Sequence, residues 1–238
     1  MDDRWYEIAN LDHPWITRRF EVLRRLAGDL FAQSAAIAEI GCGHGLLQRQ
    51  VEDAYDAEVA GFDLNETALK QTVCRFSPVC CYDVLEQSPE YEARFDLILL
   101  ADVLEHIADE DAFLEAVKFH LAPGGSVLVN VPALQSLYSG YDRAVGHLRR
   151  YRTGSLAALA KRHELTLARY TYWGLPLLPL LVLRKLWMLR RPGEGAIAAG
   201  FETGGRIRDL ALLWLSRCEP IPQRFIGTSL MAVLHNPG

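Results

Sequence analysis

The most constraining stretch of this chain runs from Ala36 to Gly45, A-I-A-E-I-G-C-G-H-G. An apolar run ends at Glu39-Ile40, breaks into Gly41, Gly43 and Gly45, and gives way at Leu46 to an apolar-polar helical pattern. That order predicts a strand, a tight glycine turn and a helix. Glycines suit such a turn because the backbone needs positive φ there and because a ligand can approach it with no Cβ in the way. The spacing G-x-G-x-G, with an acid two residues before the first Gly, is not the dinucleotide pattern G-x-G-x-x-G, which disfavours a nicotinamide-dependent oxidoreductase.

Strand-like runs then alternate with helical ones. Glu58–Phe62 ends in Asp63-Leu64-Asn65, Val79–Tyr82 in Asp83-Val84, and Phe95–Leu100 in Ala101-Asp102. Pro123-Gly124-Gly125 turns into Ser126–Val131, and Leu165–Tyr172 and Gly227–His235 fit a sixth and a seventh strand. This alternation argues for a Rossmann-like, doubly wound α/β sheet with its ligand at the carboxyl ends of the strands. An acid ending the second strand, about twenty residues after the glycines, can accept both hydroxyls of a ribose; the competing role for Asp63 is a helix N-cap. Residues 4–31 carry Trp15, Phe20, Leu23, Leu26 and Leu30 at helical spacing, with Arg18, Arg19, Arg24 and Arg25 between them. Trp5, Tyr6, His13 and Trp15 crowd a short polar stretch broken by Pro14, expected to form a lid or a packed terminal turn.

The 238 residues suit one domain: an N-terminal helix (1–33), a core (34–172), an insertion (173–222) and a last strand (223–238). No signal-peptide pattern opens the sequence and no run of 18 apolar residues occurs, so a cytoplasmic location is expected. Five cysteines without a C-x-x-C pair exclude a zinc finger or a disulfide framework. The net charge of −5 conceals thirteen Lys/Arg against three Asp/Glu between Arg143 and Arg208, a surface suited to anions. Leu175–Leu189, interrupted by Pro176, Pro179, Arg184 and Lys185, is too broken to span a bilayer. It could lie in a membrane interface, cap the acceptor pocket or form a dimer face, with an amphipathic helix at 207–218 beside it. Nucleic acid is not expected, because the basic stretch lacks interleaved aromatic residues.

Taken in order, E-I-G-C-G-H-G (39–45), G-F-D (61–63), Y-D-V (82–84), F-D-L-I-L-L-A-D-V-L-E-H-I (95–107) and L-A-P-G-G-S-V-L-V (121–129) resemble the class I S-adenosylmethionine-dependent methyltransferases. The resemblance is close over 34–132. It implies a seven-stranded sheet, mostly parallel with an antiparallel last strand, and S-adenosylmethionine as cofactor. It implies too that Glu39, Gly41, Cys42, Gly43 and Gly45 line the methionine part, that Asp63 with Leu64 holds the ribose, that Asp83 and Val84 flank the adenine, and that Ala101 and Asp102 close the pocket.

Asp102, Glu105 and His106 stand at i, i+3 and i+4, so a helix starting there would put them on one face. His106 has the side chain suited to take a proton from an acceptor hydroxyl, with His147 as a second catalytic candidate. The pattern D-x-x-E-H with a later His also resembles the E-x-x-E-H…H arrangement of metal-assisted methyltransferases, including those of quinone precursors and of small-RNA 3′ ends. That resemblance implies that Asp102, Glu105, His106 and His147 could hold Mg²⁺ or a transition ion, although the metal-free reading is preferred. The segment Gly146–Thr153, G-H-L-R-R-Y-R-T, resembles a loop that borders the acceptor in bacterial methyltransferases. Trp15, Tyr138, Tyr141, Arg149, Arg150 and Tyr151 are accordingly the expected acceptor contacts. The acceptor itself is expected to be a small molecule, partly apolar, with an anionic or hydroxylated end, methylated on oxygen. The alternative of another class is a membrane-surface adaptor that binds the cofactor without turnover.

Overall fold

The computed structural model describes residues 10–190 and 214–238. Helix α1 (Pro14–Gln33) leads into strand β1 (Ile37–Ile40), α2 (Leu46–Tyr55), β2 (Ala60–Asp63), α3 (Glu66–Lys70) and β3 (Val79–Cys81). Then come β4 (Phe95–Ala101), α4 (Glu110–His120), β5 (Leu121–Pro132), α5 (Gly140–Ala144), α6 (Thr153–Arg162), β6 (Thr166–Trp173), α7 (Leu178–Arg190) and β7 (Ser229–His235). The seven strands form one sheet in the order β3-β2-β1-β4-β5-β7-β6. β7 runs antiparallel to both β5 and β6, and the pairings among β1 to β5 are parallel. The chain order reverses direction across the sheet between β1 and β4, where a crevice opens at the carboxyl ends of the strands.

The strands are apolar on both faces because both are covered. Along β4, Leu97 and Leu99 face Val22, Leu23 and Leu26 of α1 and Leu47 and Val51 of α2. The alternating residues Ile98 and Leu100 face Phe113, Leu114 and Val117 of α4 and Leu156 and Leu159 of α6. Period two within the strands and period 3.6 within the helices thus fix which residues meet.

Three local expectations are corrected. Pro14 does not break α1 but starts it as its first residue, capped by the His13 side chain, because proline's missing N–H costs nothing there. Pro123-Gly124-Gly125 is not a turn before β5 but a bulge inside it: Leu121 pairs with Phe95 and Ser126 with Leu97. No helix starts at Asp102. That residue adopts a left-handed backbone, φ 61°, its N–H donates to Asn130 O (2.9 Å), and only a single 3₁₀ turn, Leu104–His106, follows. α4 begins at Glu110, where the Asp109 carboxylate caps it through Ala112 N (3.0 Å). Of the remaining expectations, Trp5 and Tyr6 lie outside the described residues, as does most of the helix expected at 207–218. Among the described residues no helix is long and apolar enough to cross a membrane.

Leu99 is fully buried between α1 and α2. Leu99→Ala should destabilise the fold by about 2–5 kcal/mol, read as a lower denaturation midpoint at unchanged slope.

Candidate functional site

At the crevice the glycine turn folds back on β2. Gly41, Gly43 and Gly45 have φ of 76°, 58° and 85°, the left-handed region that glycine alone enters freely. A Cβ on Gly41 would lie 2.6 Å from Val103 Cγ2, and one on Gly45 2.4 Å from Cys74 Sγ. Gly41 N and Cys42 N both donate to Phe62 O, at 2.7 and 3.2 Å. Asp63 closes the turn: its Oδ2 accepts from Gly43 N (2.7 Å) and its Oδ1 from Asn65 N (2.8 Å). Each carboxylate oxygen keeps a second lone pair for a ligand hydroxyl. Helix capping falls to Asn65, which accepts from Thr67 N and Ala68 N, rather than to Asp63. Beyond β3, Asp83 Oδ1 accepts from Leu85 N (3.0 Å), and Val84 is buried behind it. Leu64, 66% exposed, supplies an apolar surface beside Asp63.

Glu39 points out of β1 beneath this turn. It is buried, and its Oε2 has no hydrogen-bond partner in the protein. Burial pushes its carboxyl up to about 8, Asp63 and Asp102 add to the rise, and Arg19 opposes it. Burial likewise raises the Cys42 thiol far above its ordinary value, so Cys42 stays neutral.

Arg19 is a site residue that the sequence reading assigned only to the polar spacing of a helix. Its Nη1 meets Asp102 Oδ2 at 2.8 Å, and its buried Nε has no partner. Asp102 Oδ1 accepts from Asn130 Nδ2 (2.6 Å), and Asn130 Oδ1 accepts from Trp173 Nε1 (2.9 Å). Trp173 in turn packs on Trp15, with ring centroids 4.3 Å apart. The expected acceptor contact Trp15 is therefore joined to the end of β6. A signal for Arg19 did exist: it falls three residues after Ile16 and three before Val22, on the buried side of α1.

On the other side of Asp102 the 3₁₀ turn places Glu105 inward. Glu105 is 1% exposed, and neither carboxylate oxygen has a partner. Burial, with Asp102 nearby, raises its carboxyl well above the ordinary range. His106 Nδ1 lies 3.1 Å from Gly146 O. A carbonyl only accepts, so Nδ1 carries the hydrogen and Nε2 presents its lone pair; that Nε2 is buried without a partner. Burial, then the neighbouring His147, lowers His106 to about 4, so the ring is neutral near pH 7. His147 Nδ1 donates to Asp142 Oδ1 (3.2 Å), turning Nε2 toward Glu105 Oε1 at 3.8 Å.

Asp142, also absent from the sequence reading, is fully buried. Burial works against its charge, but His147 and Arg150 hold its carboxyl at about 2. Ser139 N and Oγ (2.8 and 3.2 Å) and Arg150 Nε (2.7 Å) complete its shell. Glu105, His106 and His147 offer ligand atoms that all lie within 4.8 Å of one another. Asp102 does not belong to this group and is corrected as a ligand: Arg19 and Asn130 take its two oxygens.

The basic segment is also engaged internally. Arg150 is buried, donating to Asp142 and to Ala133 O (3.2 Å). The Tyr151 hydroxyl donates to Glu110 Oε1 (2.6 Å), with Leu104 O 3.0 Å away, and Arg149 pairs with Glu110 and Ala108 O. These contacts brace the loop, and the same three residues line a cavity of about 320 Å³ together with Glu110, Ser155 and Arg162. Tyr138 stays half-buried, its hydroxyl donating to His147 O (2.8 Å), and Tyr141 is buried in α5.

A methyltransferase-domain family model matches residues 14–170. The ubiquinone biosynthesis O-methyltransferase of Bordetella avium is 30% identical over 117 residues, 46% of either chain. The chain spans about half the length of the relatives it matches. Solved structures that share the fold include the following two. One is a SAM-dependent methyltransferase from Archaeoglobus fulgidus (TM-score 0.58, 15% identity, 92% of this chain and 94% of that one). The other is the N-methyltransferase NodS from Bradyrhizobium japonicum in complex with S-adenosyl-L-homocysteine (TM-score 0.56, 17% identity, 98% and 96%). With the family model covering well over half of its length, the chain belongs to the class I S-adenosylmethionine-dependent methyltransferases.

Proposed function

We propose that this protein moves the methyl group of S-adenosylmethionine to an oxygen of a small, partly apolar acceptor. The observation that carries the reading is the buried, unpartnered Glu39 Oε2 beneath a left-handed glycine turn, a cradle suited to a small cationic group. Glu39 would take the cofactor's ammonium and Arg19 Nε its carboxylate. The glycine turn with Cys42 lines the methionine, Asp63 accepts from the ribose, and Leu64, Asp83 and Val84 surround the adenine. Ala101 and Asp102 form the wall between cofactor and acceptor.

Bound there, S-adenosylmethionine would supply a methyl group activated by its sulfonium, the C–S electron pair going to sulfur as the acceptor oxygen takes the carbon, and the hydroxyl proton would have to be taken up. The protein's share is alignment and removal of that proton. His106 and His147, with their Nε2 atoms turned into one space, are the groups placed to act on the hydroxyl. Oxygen is favoured as the accepting atom by these bases and by the similarity to an O-methyltransferase.

α7 would cap the acceptor pocket: Lys185 Nζ donates to Ser136 O (2.5 Å), just before Tyr138. Leu180, Val182, Leu183 and Leu186 of the same helix are exposed, which favours contact with an apolar surface. A membrane interface fits best, because four basic and no acidic residues lie between 175 and 191.

Because Glu39 binds its proton up to about 8, an incoming ammonium must displace it. Affinity for S-adenosylhomocysteine should therefore rise with pH, by up to about tenfold per unit, and level off above about 8; Glu39→Gln should weaken binding and flatten the profile in calorimetry. No binding at any pH would end the methyltransferase reading. His106→Ala should lower kcat by roughly 10²–10⁴-fold with cofactor affinity nearly intact; unchanged turnover would remove His106 from the reaction. In flotation with anionic vesicles the protein should rise, and Leu183→Glu should hold it in the dense fraction. Equal flotation of both would leave α7 as a cap or a dimer face.

A further inference from the structure

The sequence pattern around Asp102 implies a four-ligand ion site, but the fold divides it. Both Asp102 oxygens are occupied, by Arg19 at 2.8 Å and Asn130 at 2.6 Å, so using it as a ligand would release the guanidinium of α1. What remains is one carboxylate and two imidazoles. Glu105 is buried with both oxygens unpartnered, His106 Nε2 is buried and unpartnered, and His147 Nε2 faces Glu105 Oε1 at 3.8 Å. Each imidazole gives its Nδ1 hydrogen to an oxygen, Gly146 O for His106 and the Asp142 carboxylate for His147. That second bond is what fixes the tautomer and ring plane of a ligating histidine. Two donors on one ion at about 2.1 Å each can be no more than about 4.2 Å apart, so the present 4.8 Å limit asks for a contraction of less than an ångström.

We propose that this chain has a three-donor ion site, Glu105, His106 and His147 oriented by Asp142, that selects a borderline transition ion over Mg²⁺, while Asp102 serves α1 and the cofactor wall. The donor chemistry decides the selectivity. Mg²⁺ requires a nearly octahedral set of oxygens and usually takes carboxylates and water, whereas two imidazoles with one carboxylate suit Zn²⁺, Co²⁺ or Fe²⁺. Three protein ligands would leave positions open for the oxygen of an acceptor and lower the pKa of its hydroxyl; with both Nε2 lone pairs on the ion, that proton would pass to solvent, and the histidines would act through the ion instead of as the base. The inference rests on the reading that this cluster faces the acceptor.

Protein freed of metal by chelation and dialysis should bind one equivalent of Co²⁺, seen as visible absorption bands, and a hundredfold excess of Mg²⁺ should not displace it. Asp142→Asn should weaken Co²⁺ binding by about 10–100-fold. Glu105→Gln, which keeps the side-chain volume, should weaken it at least tenfold while leaving the ion-free melting temperature unchanged. Asp102→Asn should leave Co²⁺ affinity within about threefold and weaken S-adenosylhomocysteine instead. Absence of the Co²⁺ bands, displacement by equimolar Mg²⁺, or loss of Co²⁺ in Asp102→Asn as severe as in Glu105→Gln would each overturn the proposal. Calorimetry with S-adenosylhomocysteine on the same ion-free protein separates the two readings. Cofactor binding without Co²⁺ binding sinks the ion site alone; Co²⁺ binding without cofactor binding sinks the methyltransferase reading alone.

Discussion

The carboxylate of Asp102 is the contact on which both halves of the site depend. It sits where β4 leaves the sheet, in a left-handed backbone that ends the strand and prevents a helix from starting. One oxygen ties it to Arg19 and so to α1; the other ties it to Asn130 and, through Trp173, to the end of β6. The left-handed turn also rotates the following residues, which is why Glu105 points inward from a 3₁₀ turn instead of lying along a helix face. An ion pair this close with little exposure is costly to break, because either partner left alone would be a desolvated charge. The N-terminal helix is thereby held against the cofactor crevice by electrostatics as well as by its apolar face.

Two acids on either side of this latch keep buried carboxylate oxygens with no hydrogen-bond partner. Glu39, toward the glycine turn, and Glu105, toward the histidines, both have raised carboxyl pKa values, and burial is the largest cause in each. A fold does not ordinarily keep such groups, since leaving a buried acceptor unpaired costs about 1–3 kcal/mol. Both are therefore read as acceptors for something the chain itself does not contain. The sign for Glu39 is definite: with a folded pKa near 8 and an unfolded one near 4.3, its contribution to stability is complete below the lower value and is lost as pH rises through the higher. A cation in the cradle reverses that loss, which couples cofactor binding to fold stability.

The sheet was legible in the sequence because its signals are local. Apolar runs ending in acids, glycine turns and alternating helical periods located the strands, and their order matches the structure to within a few residues, including the antiparallel β7. The glycine turn was legible for the same reason. The contacts that cross long sequence distances were not: Arg19 with Asp102 spans 83 residues, and nothing in the spacing of either marks the other. Asp142 was hidden because its importance lies in a buried position, with four donors converging on it, inside a segment that reads as an ordinary short helix. At Arg149, Arg150 and Tyr151 the sequence shows a cluster of cations and an aromatic but not the contacts that brace it from within. Those side chains donate to Glu110, Asp142 and main-chain carbonyls across long sequence distances.

Beside Asp102, His106 and His147 turn their Nε2 atoms into one space. Their rings meet edge to face at 4.9 Å, close enough that protonating either would repel a charge on the other. Burial, with that repulsion second, lowers His106 to about 4, leaving its Nε2 lone pair available at neutral pH. Asp142 fixes the donor side of His147, so both rings present the same face of their chemistry to one point. Two lone pairs converging on one point, with a buried carboxyl behind them, are suited to take a proton from an incoming hydroxyl or to hold a cation beside it.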